Sequence, residues 1–261
     1  MERMNPLHLV SAALFRAQVR GSTRFHNVIC GGRRIGVKTK HGVSLSLSPR
    51  EYVDALIIRN GYYEEEVLDA LLTNIKAGDV FWDIGANLGI HALTVKKLRP
   101  EVTSFAFEPN PSMAELVRGA ALRNRIDVGV IELALDNEEG AAVFYIHEGN
   151  AGRSGLTNWE NNPQLGRIEV NRAMGDQIIE RKQVAAPTII KMDVEGNELR
   201  TLTGMERLLA GGSIHTIVFE NSRDENSPAK VLLEKWGYRV QALSRKEDTA
   251  HDLENFIAKK A

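Results

Sequence analysis

The sequence predicts an α/β fold on a mostly parallel sheet with helices on both faces. Three observations predict it. From residue 61 onward, short and nearly uninterrupted apolar runs alternate with stretches of helical periodicity. A helix between successive strands is a crossover, which makes the strands parallel and covers both sides of the sheet. The last two runs, YRVQALS and ENFIAKK, have no helical pattern between them, so they should form an antiparallel hairpin at the edge.

The elements follow in chain order. Residues 1–60 are an α/β extension. LHLVSAALF reads as an amphipathic helix with no cleavage site after it, and VICGGRRIGVKTKHGVSLSL as short strands punctuated by glycine. Residues 61–261 are the main domain. EEEVLDALLTNI sets Val67, Leu68, Leu71, Leu72 and Ile75 on one helical face. GDVFWDIG is the first buried strand, and NLGIHALTVKKL is the helix after it, with Ile90, Leu93 and Leu98 inward. VTSFAFEPN is the second strand. The next helix, PSMAELVRGAALRN, opens on a Ser112–Glu115 capping box. VGVIELALDN is the third strand. A Gly- and Asn-rich insertion over 141–184 interrupts the alternation on the substrate side. PTIIKMDVEG is the fourth strand, NELRTLTGMERLLA one helix, and SIHTIVFEN the fifth strand. Ser227 caps the last helix, Pro228 begins it and Gly237 ends it.

Composition narrows the function. Lys+Arg number 33 against 34 Asp+Glu, so the electrostatic footprint of a nucleic-acid binder is absent and no such partner is expected. Residues 1–40 are locally basic, with eight Arg/Lys against Glu2 alone. The single cysteine, Cys30, excludes an internal disulfide framework and a cysteine-based zinc site, and fits a cytoplasmic setting. No apolar run approaches the ~20 residues of a membrane span. Oligomeric state is not legible.

Sheets of this kind bind ligands at the carboxyl ends of their strands, where the strand order reverses. Acids stand there: Asp83, Glu108, Asp136, Asp193 and Glu220. After the first strand, Gly85-Ala86-Asn87-Leu88-Gly89 forms a turn at a helix N-terminus. A dinucleotide fingerprint would need glycine at 87 and 90, where Asn87 and Ile90 stand, and there is no P-loop. Asp83 ahead of the turn would repel a pyrophosphate and suits a cation. S-adenosylmethionine, with its sulfonium and ammonium, meets that demand. Glu108, followed by Pro109 and Asn110, would accept both ribose hydroxyls. Leu135 and Asp136, closing the third strand, would meet the adenine.

At this point the sequence resembles the FkbM family of S-adenosylmethionine-dependent methyltransferases. The resemblance spans roughly residues 60–258 and rests on GYYEEEVLDALL, GDVFWDIGANLGIHAL, FAFEPNP, LALDNEEGAAVFYI, EGNAGRSGL, IIKMDVEGNELRTLTGMERLL and IVFEN. It implies the Rossmann-like methyltransferase fold with seven strands, cofactor binding at Asp83, Gly85, Asn87 and Glu108, and methyl transfer usually to oxygen. Tyr63 and Glu64 match the family's Tyr-Glu pair, which implies Glu64 at the cofactor's amino group. One departure is AMGDQI in place of a threonine-rich TLD segment, with Asp176 in the acidic position.

An alcohol is a weak nucleophile at neutral pH, so a base is expected near it. Asp193 is the first candidate, with Glu195 and Glu220 beside it. The same three could hold a divalent cation through oxygen, a weaker alternative because no dedicated loop accompanies them. His147, Asn150, Arg153, Ser154, Trp159 and Asn221 are expected to face the acceptor, with residues 149–162 as a lid. His91 lies near the cofactor turn. The function expected is O-methylation of a hydroxyl on a small molecule or glycan. A non-catalytic module that binds the cofactor or a partner is the alternative, and a nicotinamide oxidoreductase is disfavoured by the missing glycine.

Overall fold

Strand β3 (Val80–Ile84) lies inside the main sheet with both its faces buried, Phe81 to one side and Trp82 to the other. The computed structural model describes residues 10–14, 17, 33–158, 162–181, 183–243 and 253–261. β3 is flanked by β4 (Thr103–Phe107) and β9 (Ile189–Met192), and β5 (Gly129–Ile131) lies beyond β4. On the other side come β10 (Thr216–Ser222), β12 (Leu253–Lys260) and β11 (Tyr238–Ala242), giving seven strands in the order β11-β12-β10-β9-β3-β4-β5. All neighbours are parallel except those of β12, which pairs antiparallel with both β10 and β11. The expected edge hairpin is present, with its second strand inserted between the first and the rest of the sheet.

Helices cover both faces. On the Phe81 side lie α1 (Tyr52–Asn60), α2 (Glu65–Asn74), α3 (Ile90–Leu98) and α4 (Pro111–Asn124), whose Ile57, Leu71, Leu93 and Ala120 pack with Ile189 and Val218. On the Trp82 side lie α5 (Gly175–Glu180), α6 (Glu198–Thr203), α7 (Glu206–Ala210) and α8 (Pro228–Lys235), whose Ile178, Leu202, Leu209 and Leu233 pack with Ile190, Ile217 and Phe219. The hairpin β1 (Ile35–Lys38) and β2 (Ser44–Leu47) seals the first layer, and Ile35, Val37, Leu45 and Leu47 join the same core. Residues 10–14 form a helical turn that buries Ala12.

Several elements differ from expectation. α1 has no counterpart in the sequence reading. The third strand is two pieces: β5 stays in the main sheet, while β6 (Ala134–Leu135) joins β8 (Gly166–Ala173) and β7 (Gly140–Ile146) in a separate three-stranded sheet. The helix expected over 197–210 breaks between α6 and α7, where Gly204 passes so near the Asp136 carbonyl that a Cβ would stand 2.0 Å from it. α4 is capped by Asn110, whose side chain accepts from Ser112 N–H, rather than by Ser112. α8 begins at Pro228 as read, but Ser227 donates its hydroxyl to Asn221 Oδ1 instead of capping the helix.

Candidate active site

The chain leaves β3 toward β4 and β5, then returns to lay β9 on the opposite side of β3, so the strand order reverses between β3 and β9. Their carboxyl ends are tied together, since Asp193 N–H donates to the Ile84 carbonyl at 3.0 Å. A cavity of about 1430 Å³ opens there. Gly85 is required by this junction: with φ +73° it lies against the Asp193 carbonyl, and a Cβ would stand 1.8 Å from that oxygen. Gly89 is required by packing on Val117. The turn glycines therefore serve strand and helix packing.

Glu108 follows β4 and lines the cavity. Its two oxygens each accept a backbone N–H, from Asn87 at 2.7 Å and from Asn110 at 2.9 Å. Burial pushes its carboxyl up to about 7, although these two N–H groups and the Lys191 ammonium oppose the rise. Glu64 enters from the start of α2. Its Oε2 lies 3.4 Å from His91 Nε2, and Asn255 donates to its Oε1 at 3.4 Å. Burial works against its charge, but the His91 contact and Lys191 hold its carboxyl below the usual range.

Across the cavity, oxygens of Asp193, Glu195 and Glu220 lie within 4.8 Å of one another. Burial raises all three; repulsion from Asp193 adds to it for Glu195, which reaches about 9, and for Glu220, which reaches about 8, while the Lys191 ammonium opposes the rise at Asp193. Burial and these carboxylates also keep Tyr63 a neutral phenol. In all, nine acidic and three basic side chains line the cavity, a field suited to a cationic ligand. Glu64, Asn87 and Glu195 adopt left-handed backbone (φ 52°, 51° and 51°), and all three line the cavity. Such strain gathers at binding sites.

The sequence model of the Methyltransferase FkbM domain matches residues 83–240. The chain belongs to the FkbM methyltransferase family. This FkbM-family chain is 29% identical to the hexuronic acid methyltransferase AglP of Haloferax volcanii, over 73% of its own length and 77% of AglP. It is 30% identical to the 31-O-demethyl-FK506 methyltransferase FkbM of Streptomyces tacrolimicus, over 51% of its length and 61% of that protein. Among solved structures it is similar to methyltransferase FkbM from Methylobacillus flagellatus KT, with TM-score 0.49, 13% identity, and 97% of this chain and 58% of that one covered.

In this FkbM-family chain the cavity gathers most of the residues singled out from the sequence. Glu64, Gly85, Asn87, Glu108, Pro109, Asn110 and Leu135 line it, as do Asn150, Arg153, Ser154, Asp193, Glu195, Glu220 and Asn221. Others fall outside. Asp136 is 1% exposed, clamped by Arg172 at 2.9 Å and Arg200 at 2.8 Å, and does not line the cavity. Asp83 is fully buried under the turn, its Oδ2 accepting from Ala92 N–H, and does not line the cavity. Ala86 and Gly89 are also behind the wall, and so is His147, whose backbone N–H donates to Ser154 Oγ. Trp159 lies outside the described residues. His91 is buried beneath Glu64. Asp176 accepts from Arg207 and Leu208 N–H at the start of α7, away from the cavity.

Residues 149–155 are a pinned wall. Gly149 C=O accepts from Tyr52 N–H, Ala151 N–H donates to Glu51, and Gly155 pairs with Tyr145. The sequence reading missed the partners of this wall. Tyr52, Val53, Leu56 and Asn60 of α1 all line the cavity, and an apolar periodicity at Val53, Ile57 and Ile58 was the available signal. It also gave no task to Lys191.

Proposed function

We propose that this chain is an S-adenosylmethionine-dependent O-methyltransferase acting on a hydroxyl of a sugar or other small molecule. One observation carries the reading: a single cavity at the strand-order reversal holds a backbone-anchored Glu108 on one wall and the Asp193, Glu195 and Glu220 carboxylates on another. The donor set fits the methyl donor. Each Glu108 oxygen keeps a lone pair for a ribose hydroxyl after accepting its backbone N–H. Glu64 would take the amino group, Leu133 and Leu135 offer apolar walls for the base, and the acidic field favours a sulfonium. When bound, the donor supplies a methyl group on a positively charged sulfur.

The protein's task is then to orient the acceptor and receive a proton. Holding the reacting atoms in line can lower a barrier by about 7–11 kcal/mol. Asp193 would receive the hydroxyl proton, Glu195 and Glu220 would bind neighbouring hydroxyls as protonated donors, and Asn150, Arg153, Ser154 and Asn221 would fix the acceptor. Two relatives support an oxygen acceptor, one named for a hexuronic acid and the other for an O-demethylated compound.

Calorimetry tests the donor: S-adenosylhomocysteine should bind and NAD should not. Mass spectrometry tests the acceptor, with methyl glucuronide and methyl glucoside as probes and a gain of one methyl as readout. Failure of the nucleoside to bind would reject the reading. A chelator arm with magnesium or calcium add-back decides whether the carboxylate cluster also holds a divalent cation, since its spacing and oxygen chemistry suit one.

A further inference from the structure

The reaction proposed above gives no role to Lys191, a buried cation beside the cavity. Lys191 sits in β9, is 5% exposed and does not line the cavity. An ammonium inside a sheet is costly unless its partners surround it. β9 is registered so that Lys191 stands directly beside Asp83. Its Nζ lies 3.6 Å from Asp83 Oδ1 and donates to the Gly85 carbonyl at 3.2 Å. Asp83 is fixed in turn by Ala92 N–H. The ammonium is thus anchored to the turn beside Glu108.

From that anchor it reaches Asp193 Oδ2 at 3.5 Å. The other oxygen, Asp193 Oδ1, is buried and has no hydrogen-bond partner. Oδ2 is therefore the oxygen that can meet an acceptor. Lys191 thus pairs its ammonium with this carboxylate from inside the sheet. Around Asp193 stand carboxyls that oppose its charge, Glu64 before α2, Glu195 and Glu198 beyond β9 and Glu220 on β10, with the Tyr63 phenol beside them, while His91 on α3 favours the charge as Lys191 does. Without Lys191, burial and four neighbouring carboxyls would neutralise Asp193.

We propose that Lys191 is a positioning residue for methyl transfer: anchored to Asp83 and Gly85, it holds Asp193 Oδ2 charged and aimed at the acceptor hydroxyl. The proposal rests on the reading of Asp193 as the base. The acceptor's O–H bond breaks and its proton goes to Oδ2. The electron pair left on oxygen forms the bond to the methyl carbon, while the sulfur keeps the pair of the bond it loses. Asp193 then gives the proton to water. Because one ammonium touches both the donor-side turn and the base, it sets the distance between them. A neutral side chain of equal length would fill the space without setting that distance.

The test uses the full chain with Lys191→Met and Lys191→Arg. Lys191→Met should lower kcat on the methylated probe by about a hundredfold, the scale of a lost general base. The probe's KM and the affinity for S-adenosylhomocysteine should stay within about threefold, and Lys191→Arg should recover about tenfold of the loss. Unchanged kcat in Lys191→Met, or a loss of nucleoside affinity matching the loss of kcat, overturns the proposal. A second arm needs no turnover. Carbon-13 NMR of labelled aspartate, assigned with Asp193→Asn, should show Asp193 ionised near neutral pH in the unmutated protein and protonated in Lys191→Met. A protonated Asp193 in the unmutated protein overturns the proposal even if no variant folds. Absence of turnover on both probes in the unmutated protein refutes only the proposed reaction, and the NMR arm still judges Lys191.

Discussion

Glu108 answers two opposed demands. Burial favours its neutral form, while two backbone N–H groups and a diol partner favour the anion. With its carboxyl at about 7, affinity for S-adenosylhomocysteine should rise with pH through neutrality and then level. Glu108→Gln should flatten that profile, weaken binding by about tenfold or more, and lower the stability of the unliganded fold by about 1–3 kcal/mol, because the amide nitrogen cannot accept one of the two backbone N–H groups. Calorimetry across pH and a thermal melt check these outcomes. Glu195 shows a comparable tension in its backbone. Its φ of 51° costs about 1–2 kcal/mol for a side chain with a Cβ. Glu195→Gly should therefore raise unfolding free energy by about 1 kcal/mol while lowering methyl transfer. These two acids were legible from the sequence because each follows the carboxyl end of a sheet strand. Asp136 obeys the same rule and was misplaced, because its clamp comes from Arg172 and Arg200, which no local pattern announces.

Gly85 shows how closely the site depends on two strands meeting. Gly85→Ala would drive a Cβ into the Asp193 carbonyl and strain a left-handed turn. The expected cost is about 2–4 kcal/mol, with loss of nucleoside binding, and denaturant melts with calorimetry check it. An unchanged melt would show that the β3–β9 junction yields easily. The strands of the main sheet were readable because a strand buried on both faces is written as an unbroken apolar run. The break between β5 and β6 was not, since VGVIELALDN stays apolar while its two halves join different sheets. Nor was the break between α6 and α7, which answers a carbonyl 68 residues earlier in the chain, that of Asp136 against Gly204. The run of short strands read from the sequence ends at Leu47 and leaves 48–60 without an element, although Val53, Ile57 and Ile58 carry helical spacing. α1 matters to the site, since its first turn and the 149–155 wall hold each other in place.

Among the described residues six carboxyls are raised by the fold: Asp54 to about 6, Glu108 to about 7, Glu220 to about 8, Glu195 to about 9, and Asp193 and Glu198 upward as well. Burial is the first cause in each. A raised carboxyl binds its proton more tightly folded than unfolded, so it stabilises below its ordinary pKa and loses that contribution as pH rises through the folded value. The unliganded protein should therefore melt higher at pH 5 than at pH 9. Asp79, whose carboxyl is held low by Lys76 N–H, Thr188 and His215 against the pull of burial, acts oppositely and withdraws its stabilisation as pH falls below the ordinary carboxylate range. Donor binding should flatten the alkaline side of this curve by engaging the Glu108 anion. The hairpin of β1 and β2 and the helix α1 share one core with α2 and α3, in which Ile35, Val37, Leu47 and Ile57 join Leu68, Leu71 and Leu93. Deleting residues 1–60 should yield protein without a cooperative melt, as circular dichroism would show.

The three left-handed positions also restrict what selection or a laboratory library can write into the cavity. At 64, 87 and 195, valine, isoleucine and threonine are barred by their own branching before they touch any ligand. Randomising these codons together should return glycine, asparagine and aspartate far above their frequency in the pool, even in a screen for folding alone. New acceptor preferences are reached more readily through Tyr52, Leu56 and Asn150, which line the same cavity without a positive φ.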